Sequence, residues 1–142
     1  MKRVEANDPV AICEAGKMCY YKGDYDGAFG YFSKSAELGN VGAHNSLALM
    51  YQKGQGVGRD EKMVLHHLEE AAIGGHPGAR HNLGCHEGKN GRHERAAKHF
   101  IIAANLGLGD SLEIVKKNYA LGIISKEDFA ELLLLPLSGD FS

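Results

Sequence analysis

Ala43-His44-Asn45-Ser46-Leu47-Ala48-Leu49-Met50-Tyr51-Gln52-Lys53-Gly54-Gln55-Gly56-Val57-Gly58-Arg59-Asp60 decides how the chain is read. Ala43, Leu47 and Tyr51 recur at i, i+4 and i+8, one apolar stripe of a helix. A glycine-rich turn follows at 54–58, and Asp60 suits the N-cap of a second helix. That second helix places Val64, Leu68, Ala71 and Ala72 on one face. The unit is therefore a helix pair joined by a loop.

The same unit occurs on either side. Ala36-Glu37-Leu38-Gly39, Ala72-Ile73-Gly74-Gly75 and Ala104-Asn105-Leu106-Gly107 end alike, spaced 36 and then 32 residues apart. A large apolar residue stands four positions before each closing alanine: Phe32, Leu68 and Phe100. Ala11, Ala43, Ala79 and Ser111 align; so do Ala15, Leu47, Leu83 and Val115, and Gly16, Ala48, Gly84 and Lys116. The second helices of the outer units show Ala28, Phe32, Ser35 and Ala36, and Ala96, Phe100, Ala103 and Ala104. Small residues at shared positions let helices approach closely. Asp8-Pro9 is a strong helix start with proline at the first helical position, and His76-Pro77 is a weaker copy. Gly39, Gly75 and Gly107 suit helix ends that need a left-handed residue.

The units are a lead-in at 1–7, repeats at 8–39, 40–75 and 76–107, a divergent fourth repeat or C-terminal cap at 108–135, and a tail at 136–142. One helix pair cannot bury its stripe alone, whereas stacked neighbours can. The expected fold is all-α: an α/α superhelical solenoid of antiparallel helix pairs, about three and a half repeats long. In the fourth repeat Lys116 replaces a small residue. Ser125-Lys126-Glu127-Asp128 is a capping box with Asp in the acidic position, and Phe129, Leu132 and Leu133 are expected to pack back on the third repeat.

Bulk composition limits the function. The 142 residues suit one domain. Charged residues make up 24% and hydrophobic ones 44%, which argues for a folded chain. A net charge of −2 gives no pull towards nucleic acid or a membrane surface. The leucine run at 132–135 is far short of the roughly 20 apolar residues that span a bilayer. No signal core opens the chain. Three cysteines fit no disulfide or zinc framework, so a reducing compartment, cytoplasm or nucleus, is expected.

The second unit, read as Ala43-x-x-x-Leu47-Ala48-x-x-Tyr51-x-x-Gly54-x-Gly56-Val57-x-x-Asp60 and then Ala71-Ala72-x-x-Gly75, resembles the Sel-1-like repeat, a cousin of the tetratricopeptide repeat. The turns of the first and third units, Gly23-Asp24-Tyr25-Asp26-Gly27-Ala28 and Gly91-Arg92-His93-Glu94-Arg95-Ala96, look more like tetratricopeptide turns. The resemblance covers 8–107 well and 108–135 weakly. It implies a non-catalytic adaptor or scaffold that holds a partner protein, an extended peptide or a domain, in a concave groove.

Carried over from the tetratricopeptide superhelix, the groove residues are Cys13, Glu14, Lys17 and Tyr20 in the first repeat. They are Asn45, Ser46, Leu49 and Gln52 in the second, and His81, Asn82, Cys85 and Lys89 in the third. This is a mixed polar surface with one exposed leucine. The clamp that some relatives use for a C-terminal carboxylate is not reproduced, because Cys13 and Lys17 stand at its lysine and asparagine positions. A spacer or regulatory domain of a larger protein is the alternative. A second is a β-lactamase-like repeat enzyme, whose paired cysteines in each repeat this chain lacks.

No catalytic residue, metal ligand set or cofactor motif is expected. His81 and Cys85 share a helix face, and His86 and the pair His66-His67 stand nearby in sequence, but structural zinc wants four ligands. His86-Glu87 and His93-Glu94 lack the second histidine of a zinc-protease helix, with Asn90 and Ala97 in its place. The glycines at 54–58 have the wrong spacing for a dinucleotide loop and no preceding strand. Arg80, Lys89, Arg92, Arg95 and Lys98 make the third repeat locally basic against Glu87 and Glu94. Without interleaved aromatics that stretch reads as a solvated helix face. Tyr31, His67 and His99 occupy one aligned position, which points to packing or surface.

Overall fold

The computed structural model describes residues 7–127 and 130. Among these the structure is helical throughout, with no strand. Seven helices follow in order: α1 Pro9–Tyr21, α2 Tyr25–Glu37, α3 Val41–Lys53, α4 Glu61–Ile73, α5 Pro77–Lys89, α6 His93–Asn105 and α7 Gly109–Ala120. Two compact units divide the chain, Met1–Ala71 and Ala72–Ser142.

In the N-terminal unit the caps act where the sequence places them. Asp8 Oδ1 accepts the backbone N–H groups of Val10 and Ala11 at 3.0 and 3.3 Å, and Pro9 opens α1. Asp24 caps α2 through the Gly27 N–H, and Asn40 caps α3 through that of Ala43. Asp60 caps α4 by accepting from Lys62 and Met63 at 3.1 and 3.3 Å. Helix α1 packs on α2, and α2 on α3. Their core joins Cys13, Ala28, Phe32, Ala36, Ala43, Leu47 and Met50. Ser35, wholly buried on α2, donates to the Pro9 carbonyl at 2.6 Å and ties the second helix to the start of the first.

In the C-terminal unit α5 packs on α6 and α6 on α7. His76 caps α5 with Nδ1, which accepts the Ala79 N–H at 3.0 Å. Only a neutral imidazole can accept there, and burial lowers the pKa of His76. The core gathers Ala96, Ala97, Phe100, Ile101, Val115 and Ile124. Gly39, Gly75 and Gly107 all hold positive φ just past a helix end.

The aligned glycines have a steric cause. A Cβ on Gly16 would lie 2.8 Å from the Phe32 ring, and one on Gly84 would lie 2.7 Å from the Phe100 ring. The second repeat carries Ala48 and Leu68 at those positions, a larger residue facing a smaller one. At the fourth, Lys116 points to solvent and pairs with Glu113 at 3.7 Å. Asp128, Phe129, Leu132 and Leu133, the expected cap, lie outside the described residues.

Candidate functional site

In the N-terminal unit Glu14 and Lys17 stand one turn apart on the open face of α1, their side chains 62% and 48% exposed and paired at 3.2 Å. The hydrogen bond to Glu14 raises the pKa of Lys17. Tyr20 is half-buried, and its hydroxyl donates to Gln55 Oε1 at 2.8 Å, which ties the end of α1 to the long loop after α3. Tyr20 also packs edge-on against Tyr21 and tilted against Tyr25. On α3, Gln52 is exposed, and Asn45 and Ser46 are half-buried.

Two of these expectations need correction. Cys13 is not a surface residue: it is 4% exposed and sits in the core with Phe32 and Leu47, where burial pushes its thiol pKa up. The helical turn that points Glu14 outward points Cys13 at α2. Leu49, expected as an exposed apolar contact, is half-buried.

In the C-terminal unit Lys89 is exposed, while His81, Asn82 and Cys85 are half-buried. Cys85 packs against the α6–α7 core, and burial raises its pKa. His81 stands edge-on to the Phe100 ring and shares a hydrogen bond between its Nδ1 and Ser111 Oγ at 2.6 Å. A serine hydroxyl on an imidazole is the start of a nucleophile–base pair. Here Ser111 is 0% exposed, so no substrate reaches it, and the bond locks α5 to α7.

The basic stretch of the third repeat departs at Arg80 and Glu87 from the solvated face expected, while Lys89, Arg92 and Glu94 are exposed. Arg80 is 3% exposed; one Nη donates to the Ala72 carbonyl at 3.2 Å and the other lies 3.5 Å from His99 Nδ1. Glu87 is buried too, with Arg92 Nε at 3.1 Å and Arg95 Nε at 3.5 Å from its carboxylate. A buried charge persists only when it is compensated: Glu87 is ion-paired with two guanidinium groups, and Arg80 donates to a backbone carbonyl.

Arg80 and His99 occupy the repeat positions that hold His44 and His67 in the second repeat and Ile12 and Tyr31 in the first. His44 Nδ1 and His67 Nδ1 are 2.9 Å apart, and Tyr51 stacks on His67 at 5.8 Å and 14°. The contact between the two helices at these positions thus differs in chemistry between the second and third repeats. The aligned row of Tyr31, His67 and His99 was visible in the sequence. The partners of His67 and His99 on the preceding helix, His44 and Arg80, were not, because an unremarkable Ile stands at that position in the first repeat.

Burial, and then the neighbouring His44 and His66, lower the pKa of His67 to about 4. His99 also falls to about 4, by burial and then by Arg80 and Arg95. Both rings titrate near 6.5 when free. Below that pH the unfolded chain takes up protons that the folded one refuses, so stability falls as pH drops from 6.5 to 4. The expected loss is about 2 kcal/mol per histidine. Urea unfolding at pH 7, 5.5 and 4.5 measures it. A His99→Phe variant is expected to flatten the pH slope, and an unchanged slope would show that His99 is not the source.

Among the described residues no group of three or more His, Cys, Asp or Glu side chains is arranged to hold a metal ion. All three cysteines are free thiols. The glycines at 54–58 form the turn between α3 and α4. No described helix is long and apolar enough to cross a membrane.

The Sel1 repeat family model matches residues 9–40, 41–76 and 77–108. No curated protein matches the chain significantly. Among solved structures, one that is similar is a protective antigen of uropathogenic Escherichia coli strains displaying an SLR fold. Its TM-score is 0.70 at 22% identity, over 92% of this chain and 29% of that one. Another is a Sel1 repeat protein from Oxalobacter formigenes, with TM-score 0.72 at 24% identity over 82% of this chain and 51% of that one. The chain thus spans about a third to a half of the length of these two proteins. The fold they share with it is the all-helical α/α repeat solenoid expected from the spacing of the glycines and alanines. With three consecutive repeats matched and the helix pairs in place, the chain belongs to the Sel1 repeat family.

Proposed function

We propose that this chain is a non-catalytic protein-interaction module that holds a partner peptide or domain on the first helices of its repeats. The observation that supports this is a set of solvent-reaching side chains on the first helices of the repeats. These are Glu14 and Lys17 on α1, Gln52 on α3 and Lys89 on α5. The opposite sides of the same helices are fixed in the core, so the exposed groups are presented at low conformational cost. Sel1 repeats are generally protein-interaction modules. Tyr20, Asn45, Ser46 and Leu49 in the N-terminal unit and His81, Asn82 and Cys85 in the C-terminal unit are half-buried, and Cys13 is buried in the core.

A spacer within a larger protein is the second reading, favoured by the 29% and 51% of the similar chains that this one covers. The disulfide-paired enzyme reading has no cysteine pair to rest on, since Cys13, Cys19 and Cys85 are all free.

The test is affinity capture with wild type and with a Lys17→Glu, Gln52→Ala, Lys89→Glu triple variant. The three positions are exposed, so the variant is expected to fold, which circular dichroism checks. A partner bound by wild type and lost by the folded variant supports the module and its surface. The same partner bound by both forms overturns the surface, and no partner for either favours the spacer.

A further inference from the structure

Helix α1 is apolar on two sides. Ile12, Cys13 and Gly16 are buried on one. On the other, Val10, Met18 and Tyr21 are 60%, 57% and 83% exposed, with the exposed pair Glu14 and Lys17 among them. At about 100° per residue, Val10, Glu14, Lys17 and Tyr21 fall within roughly 60° of one another, and Met18 borders them. Their spacing of four, three and four residues is that of a helix seam that packs along a second helix. The fold covers this face elsewhere. In α3 the positions matching Val10, Glu14, Lys17 and Met18 are half-buried or buried, and Met50, the counterpart of Met18, is 1% exposed in the core with Phe32 and Ala36 of α2. On α1 the same face is open.

We propose that this face of α1 is a dimer interface, on which a second copy of the chain lays its own α1 antiparallel about a two-fold axis. The order of residues in the stripe selects this occupant. With the axis level with the Ala15–Gly16 bond, Val10 meets the partner's Tyr21 and Glu14 meets the partner's Lys17. The same two pairs recur beyond the axis. An apolar pair closes each end and an ion pair stands on either side of the centre, so the face complements itself, as an isologous contact requires. A parallel arrangement would set glutamate on glutamate and lysine on lysine. The pattern is particular to α1: at the Glu14 and Lys17 positions α3 has Ser46 and Leu49, and α5 has Asn82 and Cys85.

The face is held ready. Tyr20, anchored through its hydroxyl to Gln55, stands edge-on to Tyr21 with ring centroids 6.0 Å apart and orients that ring. Tyrosine and methionine are the side chains enriched where proteins meet. The Glu14–Lys17 bond within one chain lies in water, so it exchanges for the intermolecular pairs at little cost. One pair of helices covers less than the roughly 1,600 Å² of a standard interface, so a weak dimer is expected, with Kd on the order of 100 μM. The dimer does not rest on the partner-binding reading, although a partner held at Glu14 and Lys17 would displace the second copy.

The experiment is sedimentation equilibrium of the purified chain, with no partner present, from about 10 μM to about 1 mM. A monomer–dimer equilibrium is expected. Tyr21→Ser is expected to weaken it at least about tenfold, and Glu14→Lys and Lys17→Glu each to weaken it similarly. Mixed in equal amounts, the two charge variants are expected to pair at least as tightly as wild type, because one stripe then carries two positive charges and the other two negative ones. Leu121→Ser, at a 64% exposed position just past α7, is expected to leave the dimer unchanged. Circular dichroism confirms that each variant is folded. A wild type that stays monomeric over this range, a dimer that survives Tyr21→Ser, or one lost with Leu121→Ser overturns the interface. Charge variants that fail to pair when mixed overturn the two-fold register.

Discussion

Gly84→Ala is expected to destabilise the protein by about 2 kcal/mol, although glycine-to-alanine changes inside helices ordinarily gain about 1 kcal/mol. The sign reverses because three atoms of the Phe100 ring, at 2.7, 2.9 and 2.9 Å, already fill the space that the new methyl would take. That ring is 5% exposed and has no free direction in which to move. Overpacking of this kind costs typically about 1–3 kcal/mol beyond the propensity gain. The second repeat shows how to relieve it, since alanine there coexists with leucine at the opposite position. In a double-mutant cycle with Phe100→Leu, the pair is expected to be less destabilised than the sum of its parts by about 1–2 kcal/mol. Urea unfolding of wild type, both single variants and the double variant measures the coupling. Zero coupling would mean that the clash is relieved elsewhere. Gly30→Ala is the control, because a Cβ on Gly30, exposed on α2, meets nothing within 4 Å, and it should stabilise.

Gly56→Ala is expected to cost more, about 3 kcal/mol, and to lower Tm by on the order of 10 °C. Two effects add. Gly56 holds φ +70°, the left-handed region that costs an L-residue about 1–2 kcal/mol. Its Cβ would also fall 2.7 Å from the Tyr25 carbonyl oxygen and 2.8 Å from the carbonyl carbon. These are backbone atoms at the start of α2, which cannot swing aside as a side chain can. Gly58, two residues later, has neither constraint, and Gly58→Ala is expected to stay within about 0.5 kcal/mol of wild type. Equal thermal midpoints for the Gly56 and Gly58 variants would show that the loop does not rest on α2.

The glycine-rich loop is thus less a hinge than a docked element. Its sequence announced a turn between helices, and the structure adds that Gly56 lies against α2 and Gln55 against the Tyr20 hydroxyl. Helix existence, pairing and caps were legible because each has a local cause: the stripe of Ala28, Phe32 and Ala36, or the carboxylates of Asp8 and Asp60 one position before a helix. The floor of the candidate surface was less so. Cys13 was placed on it by alignment to a related superhelix, yet a shift of one position around a helix moves a side chain by about 100°, enough to turn it from groove to core. Arg80 and Glu87 were read as solvated because charged residues are mostly exposed, and only the three-dimensional pairing of helices reveals the partners that permit their burial.

That changing interior contact has a consequence for how the chain folds. Repeats built to one plan risk exchanging helices during folding, since each second helix offers nearly the same stripe of Ala, Phe or Leu, and Ala to every first helix. Ile12, His44 and Arg80 make the first helices unequal at one aligned position. Seating α6 on α1 would set His99 against an isoleucine in place of the Arg80 guanidinium. Seating α2 on α5 would bury the Arg80 guanidinium against Tyr31 without the His99 ring. Such mismatched polar contacts distinguish pairings that the shared apolar stripe does not. The three chemistries therefore work as address labels, sorting each helix to its own repeat in a sequence whose alanines and glycines would otherwise accept any.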